Sequence, residues 1–274
     1  MMKNNFIQRT LTGALLVALI VSLILFNNIL FTALMCAVAL GCAHELHSLI
    51  NLTNAHLKTT SFITVTVAFL LLSGLGVQVG SSLTIAVTLG FILLIPMVSS
   101  LFIRDSNALE QSFLTIVPVV YVAIPLGILP RFIDVIPGRP DQPVMILSLF
   151  VLIWVNDTFA YLTGISIGRH RLFERVSPKK SWEGAIGGLL FSLGAAFGLF
   201  EITGLMILPI WLGLAIVVVI FGIFGDLLES LLKRSKGVKD SGDLLPGHGG
   251  LLDRFDAVLL SVPAAWIYLS IVLI

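Results

Sequence analysis

Charge is what this chain has least of. Only 11% of its 274 residues are Asp, Glu, Lys or Arg, while 57% are hydrophobic. That is about half the charged fraction of ordinary soluble domains, which excludes a water-soluble globule. Cysteine is nearly absent too. Cys36 and Cys42 share one apolar run without metal-ligand spacing, which excludes a disulfide framework and reads as two packed thiols. There is no internal repeat, no low-complexity linker and no soluble domain. The net charge of +1 says little by itself, and no nucleic-acid partner is expected.

What the chain has instead is long apolar runs. A mean hydropathy of +1.06 fits repeated stretches long enough for helices that cross a bilayer, since ~20 residues at 1.5 Å rise span the hydrocarbon core. The pattern predicts an all-α, polytopic integral membrane protein of about nine spans. They lie roughly at 10–26, 29–50, 61–79, 83–103, 112–133, 143–164, 184–205, 207–225 and 257–273. Lys3 and Arg9 before the first run resemble a signal peptide, but no small-residue cleavage site follows, so the run counts as a span. Pro118, Pro125 and Pro130 predict a kinked or broken fifth span. The chain divides into N-terminal scaffold spans (1–110), a middle proline-broken span with its external loop (111–142), and a catalytic C-terminal region (143–274).

Placing the N-terminus inside leaves only Arg131 and Arg139, of the 16 Lys and Arg residues, in outside loops. The excess of positive charge on inside loops therefore sets the orientation. Both large polar loops, 165–183 and 226–256, then face the cytoplasm, and the protein is expected in the cell (inner) membrane.

The charge that does exist gathers in Ser230–Asp256. Asp226 closes the apolar run before it, where a carboxylate costs up to ~2.5–3.5 kcal/mol at span centre and less near the interface. Glu229, Ser230 and Lys233 follow on the same face if the helix continues. Asp253 and Asp256, three apart, repel unless a cation or basic groups intervene, although simple helix capping explains them as well. Pro246-Gly247-His248-Gly249-Gly250 lets backbone N–H groups approach an anion. With Lys233, Arg234, Lys239, Asp240 and Arg254 around it, the set suits a nucleoside triphosphate. Carboxylates would hold a hard cation such as Mg²⁺, and Lys and Arg would neutralise the remaining phosphate charge. Taken singly, Lys236 and Arg175 read as orientation charges, and Glu229 with Lys233 as an i,i+4 pair worth a few tenths of a kcal/mol.

The earlier loop carries Ser177-Pro178-Lys179-Lys180-Ser181-Trp182-Glu183-Gly184. Its lysine pair suits an anionic headgroup or the charged leaflet surface, and Trp182 suits the headgroup level. Ser181 with Gly184 does not complete a capping box, so a purely helix-starting role is less well supported. Asn156 and Asp157 in span six form a buried polar pair inside the membrane. His44-Glu45-Leu46-His47 lacks the zinc-protease spacing and reads as the polar end of span two.

These residues resemble the phosphatidate cytidylyltransferase (CDP-diacylglycerol synthase) family. The match follows Ser-x-apolar-Lys-Arg, then Lys-Asp, then His-Gly-Gly-x-x-Asp-Arg-x-Asp over Ser230–Asp256, and extends upstream to Asn156-Asp157 and the Ser177–Gly184 stretch. Ser181 stands where the family is expected to have Thr. The resemblance implies CTP and phosphatidate as substrates, CDP-diacylglycerol and pyrophosphate as products, and a Mg²⁺ requirement, with a second cation left open. It implies Asp226, Asp253 and Asp256 as metal ligands. Lys233, Arg234, Lys239 and Arg254 would meet phosphates, with Asp240 among the catalytic set. His248, Gly249 and Gly250 would shape the triphosphate pocket, and Ser177, Lys179, Lys180, Ser181, Asn156 and Asp157 would line the substrate site. It also allows a homodimer. Two other readings stay open: a CTP-dependent lipid kinase that transfers the γ-phosphoryl group, and a transporter built on the proline-broken spans and Asp157.

Overall fold

The computed structural model describes residues 2–74, 82–244 and 249–273. Most of them are helical. In chain order the helices are α1 (Met2–Phe26), α2 (Asn28–Leu49), α3 (Ala55–Ser73), α4 (Ser82–Ser99), the short α5 (Ala108–Leu114), α6 (Ile116–Pro118) and α7 (Ile124–Ile128), then α8 (Pro143–Ile167), α9 (Trp182–Thr203), α10 (Leu208–Ser235) and α11 (Leu252–Val272). The chain is thus an all-α polytopic membrane protein. Among the described residues seven helical stretches are long and apolar enough to cross a bilayer. The first and fourth expected spans contribute the shorter apolar pieces Gly13–Phe26 and Ile92–Phe102.

Large apolar side chains cover the outside, with Phe26 85% and Ile202 84% exposed, as lipid rather than water requires. Helix ends follow local chemistry. The Asn27 and Asn54 side chains accept from the N–H groups of Leu30 (2.9 Å) and Leu57 (3.2 Å). Gly74 and Gly204 end α3 and α9 in the left-handed region, at φ 77° and 58°.

The fifth span is broken, as its prolines predict. Between α6 and α7 the backbone widens into a π turn over Val119–Ala123, and it tightens into a 3-10 turn over Leu129–Asp134. The three prolines remove N–H donors in one short stretch, and the turns take up the misfit. One element is unanticipated. A two-stranded antiparallel hairpin, β1 (Arg171–Phe173) and β2 (Ser177–Ser181), occupies the loop after α8. The Glu183 carboxylate closes it, meeting His170 Nδ1 at 2.6 Å, while the Trp182 N–H donates to the His170 carbonyl at 2.9 Å.

The chain forms two compact units. The first comprises residues 1–131 with 240–254, and the second comprises 132–239 with 255–274. In the second unit, α8 and α9 meet along small residues. A Cβ on Gly184 would lie 2.7 Å from the Ala160 carbonyl oxygen and 3.3 Å from Gly164 Cα, so only glycine permits this approach. Farther along the seam a Cβ on Gly188 would lie 2.5 Å from Asn156 Oδ1. On α10, a Cβ at Gly225 would strike the Asp256 carbonyl oxygen, and one at Gly222 would lie 3.1 Å from Ser261 Oγ. Ser261 donates to the Val218 carbonyl at 2.8 Å, pinning α11 to α10.

Candidate functional site

In the second unit these close helix contacts bring charge together. Lys180, near the end of β2, places its Nζ 2.5 Å from Asp226 Oδ2 on α10. Asp226 Oδ1 accepts from Ser230 Oγ one turn on, at 3.2 Å. Asp256, in the first turns of α11, lies within electrostatic range of Asp226, Asp157 and Lys180. Asp157 on α8 feels Lys180 and Asp226 as well. Three carboxylates from three helices therefore share one neighbourhood with a lysine. The glycine at 225 permits it, because the backbone just before Asp226 packs against the backbone of Asp256.

Asn156 and Asp157 are not the buried pair the sequence suggested. Asn156 is 5% exposed, whereas Asp157 is exposed, since neighbouring residues on a helix point about 100° apart. The Asn156 amide donates to Asp157 Oδ1 at 3.2 Å, and its own Oδ1 is buried without a hydrogen-bond partner. Lys179 and Lys180 also separate. Successive residues of a strand face opposite ways, so Lys179 is exposed while Lys180 turns to Asp226. Ser177 is half-buried. Ser181, buried at 4% exposure, caps α9, its Oγ accepting from the Gly184 N–H at 3.1 Å. Its helix-starting role is thus real, because the N-cap half of a capping box works without the reciprocal side chain.

Lys233 and Glu229 exceed a surface i,i+4 pair. Both are buried on α10, with Lys233 Nζ 2.6 Å from Glu229 Oε2. Arg234 is exposed and donates to the Val238 carbonyl at 2.8 Å, which closes the end of α10. Lys239 is exposed beyond it.

In the first unit the loop around 240–254 is built on carboxylates of another kind. Asp253 Oδ2 accepts from the N–H groups of Ser241 and Gly250, both at 2.9 Å, and lies 3.1 Å from Ser241 Oγ. Glu45 on α2 accepts from the N–H groups of Leu251 (2.8 Å) and Leu252 (2.9 Å) and from Ser241 Oγ (2.7 Å). Nothing in the local pattern signals this, since Glu45 lies in a four-residue string with no recognisable spacing. Gly249 takes φ 80°, which glycine alone adopts freely. A Cβ there would lie 3.2 Å from Asp253 Oδ2 and 3.5 Å from Asp240 Cβ. Asp240 and Arg254 are exposed. His248 lies outside the described residues.

The expected metal ligands are thus distributed: Asp226 and Asp256 belong to the second unit and Asp253 to the first. Among the described residues no three His, Cys, Asp or Glu side chains are drawn together as a metal cage. The donor chemistry around Asp226 nevertheless fits a hard divalent cation. It offers the oxygens of three carboxyl groups beside the single ammonium of Lys180.

Comparison with known proteins gives the same direction. The sequence model of the cytidylyltransferase family matches residues 7–272. A phosphatidate cytidylyltransferase of Haemophilus influenzae is 43% identical over 130 residues, covering 43% of this chain and 43% of that protein. Proteins of the same name from Staphylococcus aureus (strain COL) and Staphylococcus haemolyticus are 47% identical over 119 residues and 46% identical over 127 residues. These matches cover 43% and 46% of this chain, and 46% and 48% of the two relatives, so each spans less than half of the relative's length.

Proposed function

The chain belongs to the cytidylyltransferase family, and from that premise we propose that it is a phosphatidate cytidylyltransferase. It would convert CTP and phosphatidate to CDP-diacylglycerol and pyrophosphate in phospholipid biosynthesis. The observation that carries this reading is the Lys180–Asp226 pair flanked by Asp157 and Asp256. A charged cluster raised from membrane-spanning helices suits a reaction between a lipid phosphate and a soluble nucleotide.

In the proposed reaction a phosphate oxygen of phosphatidate attacks the α-phosphorus of CTP. A P–O bond forms there, the bond to the β-phosphate breaks, and pyrophosphate leaves with its electron pair. A phosphomonoester with a second pKa near ~6 is largely dianionic at neutral pH, so no general base is required. The obstacle is repulsion between anions, which positioning and electrostatic stabilisation must overcome. Asp226 and Asp256 would hold Mg²⁺, which when bound neutralises phosphate charge. Lys180, once it exchanges Asp226 for a substrate oxygen, would orient a phosphate. Lys179, Arg234 and Lys239, all exposed, would meet the remaining phosphate oxygens. Gly249 would let the triphosphate approach the backbone, while Asp253, which accepts from the Gly250 N–H, keeps that turn in shape. Both polar loops would face the cytoplasm from the inner membrane, and a homodimer remains part of the proposal.

The test is transfer of label. Purified protein is given Mg²⁺, phosphatidate and CTP labelled at the α-phosphate. Label entering the lipid with equimolar pyrophosphate release is expected. Release of labelled CDP in the presence of a lipid alcohol, without label in any lipid, would instead mark a lipid kinase.

A further inference from the structure

Glu45 belongs to the second span, in the part of the chain that shows no catalytic motif. Its carboxylate is buried, at 3% exposure. Every hydrogen bond described for it comes from a donor. Oε1 takes the Leu251 N–H, and Oε2 takes the Leu252 N–H and the Ser241 hydroxyl. Ionised carboxylate is an acceptor only, so donors alone can surround it. Leu251 and Leu252 sit at the start of α11, where unsatisfied N–H groups and the helix dipole both favour a negative charge.

The position of these donors matters more than their number. Ser241 precedes the His-Gly-Gly stretch and Leu251 and Leu252 follow it, so one carboxylate ties both arms of the loop to α2. Asp253 repeats the tie from within the loop, through Ser241 and Gly250. The glycines fit the same purpose. A Cβ on Gly250 would lie 2.5 Å from Glu45 Oε2, and one on Gly242 would lie 2.7 Å from Oε1. Gly250 and Gly242 leave the room that Glu45 and the Ser241 hydroxyl fill, since a Cβ on Gly250 would come nearer still to Ser241 Oγ.

We propose that Glu45 is a positioning residue of the transfer reaction, fixing Ser241, Leu251 and Leu252 at the two ends of the nucleotide-binding loop. The proposal rests on the cytidylyltransferase reading and deepens it, since it gives a scaffold span a share in CTP recognition. Glu45→Gln keeps size but replaces one acceptor with an NH₂ group. Whichever way the amide turns, that NH₂ faces a backbone N–H.

The experiment measures kcat and KM for CTP and for phosphatidate in the full-length protein, with melting temperature in detergent alongside. Misplaced binding groups cost up to about 100-fold, so E45Q is expected to lower kcat/KM for CTP ~10–100-fold. The KM for phosphatidate should stay within about two-fold of wild type. Ser241→Ala, which leaves both backbone bonds to Glu45, should cost less. The double variant should lose less than the two single losses combined, because the changes share the Ser241–Glu45 contact. Met35→Ala, a cavity in the buried face of α2, serves as the control for simple destabilisation. It should lower the melting temperature without the selective loss in CTP.

E45Q activity within two-fold of wild type overturns the proposal, and so does an equal effect on both substrates that M35A reproduces at matched stability. Should E45Q fail to accumulate, Glu45→Asp carries the test, since it keeps the charge one methylene short of its donors. A raised KM for CTP at unchanged phosphatidate KM supports the proposal, and wild-type values for both overturn it. Wild-type protein that transfers no cytidylyl group would instead remove the underlying function, which is distinct from active wild type with indifferent variants.

Discussion

In the first unit, Glu45 and Asp253 accept from backbone N–H groups and a serine hydroxyl, and those donors fix where each carboxylate lies. In the second, Asp157, Asp226 and Asp256 lie within range of one another's charge with Lys180 in their company. The first arrangement resembles a buckle, in which the acids are consumed in shaping the chain. The second holds like charges close, which is favourable only when positive charge is supplied. Carboxylates of one chemistry thus serve as architecture in one region and, under the proposed function, would meet reacting groups in the other. Burial alone does not distinguish them, but the kind of partner does.

Asp226→Asn tests the cluster most severely. It should reduce kcat about 10³-fold or more, the upper range for losing one key electrostatic group, while the protein still inserts and melts cooperatively. Substantial turnover in that variant would move the chemistry away from the cluster. Next comes the buried Glu229–Lys233 pair. Glu229→Ala removes the carboxylate beside a buried ammonium and should destabilise by about 3–5 kcal/mol in denaturant titration. The paired replacement E229L/K233M should recover most of that stability. If it also recovers activity, Lys233 is architecture despite its place in the signature, and if stability returns without turnover, Lys233 contacts substrate.

Smaller effects probe the buckle. Gly249→Ala forces a Cβ into the left-handed region beside Asp253, at a cost of about 1–2 kcal/mol. Its loss should appear as a raised KM for CTP, and an unchanged value would argue that the loop shape is not limiting. Ser181→Ala removes the cap of α9 and should lower stability by about 1 kcal/mol. Ser181→Thr should restore it, because the hydroxyl is retained.

The spans were legible because each needs only one property, an apolar run of sufficient length, and prolines announced the broken fifth one. The signature was legible because its residues are consecutive or nearly so. Glu45 was not, since its partners lie far along the chain and a lone carboxylate at a span end has many local explanations. The hairpin at 171–181 was hidden for another reason. It is short and rich in Arg, Lys and Pro, with none of the alternating apolar pattern that marks a half-buried strand. The fate of Lys180 followed from both, because only the strand directs it away from Lys179 and toward Asp226.

The contacts of Glu45 also impose an order in time. Its partners are 196, 206 and 207 residues later in the chain. At about 5–20 residues per second, a ribosome reaches Ser241 some 10–40 s after it has made Glu45. For that interval the second span carries an acid whose native donors do not yet exist, and water, lipid headgroups or the insertion machinery must accommodate it. The buckle can close only when synthesis is almost finished. Chains arrested before residue 241 should therefore hold most of their spans yet leave Glu45 open to modification by a carboxyl reagent, and completed chains should protect it.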